Sequence, residues 1–165
     1  MAERQPPQRI AVNGAPAPLR RNGARRLELG VLENHLGYFL RRAQVSVFQD
    51  FIRTLADIDI SPAQYSVLVV IAANRGPSQA DVADFLGIER ARLVRMLDLL
   101  EERGLTQRLP SSTDRRSHAL RLTASGQKLL KRAKTLAGAH EARLLARLGA
   151  AHHKLLLDAL REFEL

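Results

Sequence analysis

The stretch from Ser61 to Thr123 is punctuated so closely that few folds remain open to it. Ser61-Pro62-Ala63-Gln64 is a capping box with proline at the first helical position, so a helix starts there and runs to about Asn74, short of Gly76. Ser78-Gln79-Ala80-Asp81 repeats the start signal, and Gly87 supplies the stop of a short third helix. A fourth helix, about Glu89 to Arg103, closes at Gly104 and carries Leu93, Met96, Leu97 and Leu100 as its buried stripe. Two segments, Leu105 to Leu109 and His118 to Leu122, then alternate like the arms of a hairpin.

Helical periodicity flanks this unit on both sides. From Leu27 to about Leu55, Leu36, Leu40, Ala43, Val47 and Phe51 recur at spacings of three and four, which predicts one long amphipathic helix. Thr123 caps a fifth helix, whose Leu129, Leu130, Ala133, Leu136, Ala137, Leu144 and Leu145 run to a break near Gly149, and a final helix covers about Ala150 to Phe163. The expected fold is mainly α with a small β-wing: a winged helix-turn-helix over residues 61–122 and an all-helical dimerisation layer from residues 27–58 and 123–165.

A chain of 165 residues with 45% apolar content buries one core rather than two. Residues 1–26 hold six arginines and one acid, Glu3, and read as a disordered basic tail, either a solubilising segment or a DNA-contacting arm. The absence of cysteine excludes disulfides and thiolate metal sites. No apolar run approaches the roughly 18 residues that span a bilayer, and no hydrophobic signal core opens the chain, which together point to a soluble, cytoplasmic protein without a membrane partner.

Charge narrows the partners. With 26 Lys+Arg against 17 Asp+Glu the formal charge is +9, which favours an anionic partner. At about 100° per residue, Ala91, Val94, Arg95, Asp98 and Glu102 lie opposite the buried stripe of the fourth helix, with Arg92 beside them. Arg92 and Arg95 are the candidates for base or phosphate contacts, joined by Arg90 at the helix start. The competing explanation is surface pairing of Arg95 with Asp98 or Glu102, worth only ~0.5 kcal/mol or less. Ser78 and Gln79, at a helix start, suit a phosphate contact, although Ser78 is needed as a cap in any case.

The hairpin connection, "SSTDRRSHALRLT" from residue 111 to 123, places Asp114 directly before Arg115 and Arg116. At the tip of a wing, paired arginines suit the narrow, strongly negative minor groove, and the carboxylate suits holding one guanidinium extended. Double-stranded DNA is thus the expected partner. A solvated hairpin tip is the alternative.

At these residues the chain resembles the MarR family of transcriptional regulators, from Leu36 onward. The stretches that carry the resemblance are "LEERGL" (100–105), "DRR" (114–116) and "LTASG" (122–126). It implies a triangular homodimer in which the first helix and the last two intertwine, a ligand pocket between the dimer layer and the winged-helix lobe, a palindromic operator, and repression relieved by a small anion. Family recognition helices usually carry serine and threonine where this chain has Ala91, Arg92 and Val94, so relatives do not supply the operator sequence.

"LGYFLRRAQ" (36–44) is similar to the CouR-type subgroup of that family, which controls degradation of plant-derived hydroxycinnamates and responds to their coenzyme A thioesters. This resemblance implies an anionic aromatic or acyl-CoA effector and a role in aromatic compound catabolism. Tyr38, Phe39 and Phe48 suit an aromatic acyl group, and Arg41 and Arg42 suit the coenzyme's phosphates. The same aromatics serve equally as dimer core and the same arginines as partners of acids. A regulator of free phenolic acids and an architectural DNA-binding protein without an inducer are the other readings. No enzyme, catalytic residue, cofactor or metal is expected: His35, His118, His140, His152 and His153 lack metal-ligand spacing and read as surface histidines.

Overall fold

The computed structural model describes residues 27–110 and 118–163. Its elements are α1 (Leu36–Leu55), α2 (Pro62–Ala73), α3 (Gln79–Leu86), α4 (Arg90–Glu102), β1 (Thr106–Pro110), β2 (His118–Leu122), α5 (Ala124–Leu148) and α6 (Ala150–Arg161). By its contacts the chain divides into Met1–Leu36 and Gly37–Leu165. The described part of the first unit is chiefly a 3-10 helix, Gly30–Asn34.

The start signals act where they stand. Ser61 accepts from the Gln64 amide while the Gln64 side chain accepts from the Ser61 amide, which fixes the entry to α2. Ser78 and Asp81 do the same for α3, and the Asp81 carboxyl is held below the usual carboxylate range chiefly by the Ser78 backbone N–H. Gly87, at φ 61°, adopts the left-handed turn that ends α3 and donates to Ala83 and Asp84.

The first helix is shorter than the periodicity predicts. Gly30 sits at φ 54° and His35 at ψ 105°, so the segment before Leu36 leaves α geometry although its apolar spacing continues. Leu27 is therefore not the start of α1.

Leu55, Val67, Leu68, Val82, Leu93, Leu97, Leu100 and Leu120 are all less than 2% exposed and form the centre of the core. The strands pair antiparallel from Thr106↔Leu122 to Pro110↔His118. Leu120 also donates to the Pro77 carbonyl at 2.9 Å, tying the ribbon to the entry of α3. At the ribbon's base, the Thr123 hydroxyl donates to Gly104 O at 2.6 Å and accepts from the Gly126 amide at 3.0 Å. Gly126 is obligatory there, because a Cβ would lie 1.9 Å from Leu105 O.

A second tie joins α1 to α5. Asp50 accepts from Arg143 and faces His140, and Arg143 also donates to the Thr54 hydroxyl at 2.6 Å. His140 is 2% exposed and stacks on Phe51, so it is a core residue and not the surface histidine expected from its spacing. Its partner, Asp50, is remote in sequence.

Much of the outer helical layer is bare. α6 buries no residue in the single chain, and Leu155, Leu156, Leu157 and Leu160 are exposed along it, as are Val45, Phe48 and Ile52 on α1. No single helix among the described residues is long and apolar enough to cross a membrane.

Candidate nucleic-acid interface

The candidate interface centres on α4. Burial of Leu93, Met96, Leu97 and Leu100 against the core fixes the helix's rotation and leaves Ala91, Arg92, Val94 and Arg95 exposed. Asp98 does not pair with Arg95: it is drawn to Arg108 on β1, 2.6 Å away. Among the described residues neither Arg92 nor Arg95 enters an ion pair. Both guanidiniums stand exposed beside the apolar side chains of Ala91 and Val94.

Around α4 stand the other candidates. Arg90 pairs with Asp84 at 3.2 Å, with both side chains about two-thirds exposed or more, a contact that water and salt screen and that a phosphate can displace. Ser78 and Gln79 are half-buried. The Ser78 oxygen accepts from Asp81, and its O–H remains able to donate. Asp114, Arg115, Arg116 and the basic tail, residues 1–26, lie outside the described residues.

Arg108 was missed in the sequence. Its guanidinium reaches both Asp98 and Glu101, and its backbone N–H donates to Glu101 at 3.1 Å. Only the spacing of the two acids, three apart on α4 just before the ribbon, signals this.

The candidate effector residues all lie on α1. Tyr38 and Phe39 meet edge to face at 5.3 Å between centroids, and Arg42 lies over the Tyr38 ring while donating to its hydroxyl at 3.3 Å. Arg41 and Phe48 are exposed. Two open clefts lie elsewhere, of about 240 Å³ beside Ile71 and Arg121 and about 450 Å³ beside Val70 and Phe85. None of the five effector candidates lines either one. Among the described residues no His/Asp/Glu group could hold a metal ion.

A short helix, a tight glycine turn, a second helix that sets Arg92 and Arg95 on its exposed face and a two-stranded ribbon define a winged helix-turn-helix regulator. The MarR family model matches residues 58–117. A proposed transcriptional regulatory protein for the hcr operon of Thauera aromatica is 35% identical over 133 residues, 80% of either chain. The transcriptional repressor CouR, bound to a 23-mer DNA duplex, superposes with a TM-score of 0.81 at 46% identity, covering 84% of this chain and 98% of that one. CouR bound to p-coumaroyl-CoA superposes with a TM-score of 0.75 at 44% identity, over 82% of this chain and 96% of that one. The chain belongs to the MarR family of transcriptional regulators, and its relatives are regulators, not enzymes.

Proposed function

We propose that this protein is a homodimeric, sequence-specific repressor that leaves its operator when it binds an anionic aromatic effector, with an aromatic acyl-CoA such as p-coumaroyl-CoA as the first candidate. The observation that carries the DNA-binding half is the outer face of α4, where Arg92 and Arg95 stand exposed, without an ion pair among the described residues, opposite a fully committed core stripe. In the major groove a guanidinium forks onto guanine, and Ala91 and Val94 suit thymine methyls. Ser78, Gln79 and Arg90 hold the backbone, and Arg115 and Arg116, oriented by Asp114, take the adjacent minor groove.

The exposed apolar residues of α1, α5 and α6 support the dimer, since exposed apolar surface on this scale marks an interaction site in soluble proteins. Two copies present two recognition helices, and an operator with half-sites ~34 Å apart follows.

Support for the effector comes from the likeness to CouR in its complex with p-coumaroyl-CoA and from the aromatic and basic residues on α1. Tyr38, Phe39 and Phe48 would meet the acyl ring, with Arg41 and Arg42 on the phosphates. A thioester bound near the positive surface cancels charge on which DNA affinity depends, and a change in spacing of the two recognition helices is the other route to release. The test is fluorescence anisotropy of an operator complex titrated with p-coumaroyl-CoA, with p-coumarate and free coenzyme A as controls. Release by the thioester alone supports this reading. Release by p-coumarate moves the assignment to a phenolic-acid sensor, and a complex that nothing disturbs removes the effector.

A further inference from the structure

One residue of the wing is committed to the recognition helix. Arg108 stands on β1, and its side chain is 20% exposed. Its Nη2 lies 2.6 Å from Asp98 Oδ1, its Nη1 pairs with Glu101 Oε2, and its peptide N–H donates to Glu101 Oε1 at 3.1 Å. Asp98 and Glu101 are three residues apart on α4, so they share a face, and a planar fork with fixed donors reaches both at once. The link therefore joins backbone and side chain of the strand to one face of the helix. Burial alone draws the Arg108 guanidinium down, and the hydrogen bonds to Asp98 and Glu101 outweigh it, so it stays charged.

Two consequences follow for a helix that must meet DNA. The strand cannot swing relative to α4 without breaking three polar contacts. Asp98, one turn from Arg95, also has its charge offset within the protein rather than set against phosphates.

We propose that Arg108 is a positioning residue for operator recognition: it locks the wing to the recognition helix and screens the two α4 carboxylates, without itself contacting DNA. This rests on the DNA-binding reading above. The role predicts a particular pattern, because a phosphate contact weakens binding uniformly across sequences and lowers the salt slope by about one, whereas a positioning contact does neither.

The test measures anisotropy of operator and scrambled duplexes over a salt series for the full chain and for R108Q, R108K and the D98N/E101Q pair. Thermal unfolding identifies the temperature at which each is folded. R108Q is expected to lose operator affinity by roughly tenfold, within the range over which contacting residues couple, with a clearly smaller loss on the scrambled duplex, from the unscreened Asp98 and Glu101, and a salt slope nearly unchanged. R108K keeps the charge but not the fork and is expected to lose the same preference, which carries the test if R108Q does not fold. D98N/E101Q is expected to lose operator preference too, although neither residue is a cation, while scrambled-duplex binding tightens. Equal weakening on both duplexes with a shallower salt slope overturns the proposal in favour of a phosphate contact. Unchanged operator affinity in folded R108Q and R108K overturns it in favour of a purely structural tie. If the unsubstituted protein itself shows no operator preference, the repressor reading fails and the positioning role with it.

Discussion

The Nδ1 of His140 lies 2.8 Å from Oδ2 of Asp50, and the same oxygen accepts from Arg143 Nη2 at 2.8 Å, so one carboxylate of α1 holds two residues of α5. Hydrogen bonds from Arg143 and then His140 lower Asp50 from 3.8 to about 2. A value depressed in the folded state favours folding above the unfolded value, and that contribution disappears as pH falls from 3.8 through about 2. D50N is therefore expected to unfold more easily than the unsubstituted protein at neutral pH and to lose less stability across that acid window. Unfolding midpoints against pH check this; parallel profiles for the two proteins would contradict it.

Gly126→Ala places a methyl group 1.9 Å from Leu105 O, at the joint between α5 and the ribbon. Backbone must move to admit it, and overpacking of this kind costs about 1–3 kcal/mol. Urea unfolding measures the loss. A stability equal to that of the parent would mean the joint is looser than the contact implies.

Arg92→Ala and Arg95→Ala remove exposed side chains that make no ion pair among the described residues, so each is expected to leave stability within ~0.5 kcal/mol. Either one that forks onto a guanine should cost ~1–3 kcal/mol of discrimination at one operator position. Binding to single-base operator variants separates the outcomes: relaxed specificity at one position marks a base contact, and uniform weakening marks a phosphate contact.

Leu155→Glu sets a charge on α6, at a leucine 65% exposed in the single chain. If the bare α6 face is covered by a second copy, the variant shifts mass from dimer to monomer in light scattering, with DNA affinity falling as the paired half-sites are lost. An unchanged dimer would place the interface elsewhere.

The helix-turn-helix was legible because its signals are local. Ser61, Ser78 and Thr123 cap within three residues of themselves, and Gly87 ends α3 by its own backbone conformation. The outward setting of Arg92 and Arg95 followed from the periodicity of one helix. What was missed depends on distance or on a single torsion. The apolar spacing before Leu36 continued through Gly30, but its positive φ breaks the helix. His140 looked like a surface residue because its partner, Asp50, is 90 residues away. Arg108 drew no attention because the acids that hold it belong to the preceding helix.

A regulator of this kind reads DNA sequence through α4 and the wing. The direct measurement is anisotropy of a palindromic duplex from upstream of its own coding sequence beside a scrambled duplex of equal length, each over a salt series. Operator binding is expected to be tighter by at least about 10³ near physiological salt, with affinity for both duplexes falling steeply as salt rises. Equal affinity for the two duplexes would contradict it and leave an architectural DNA-binding protein in its place.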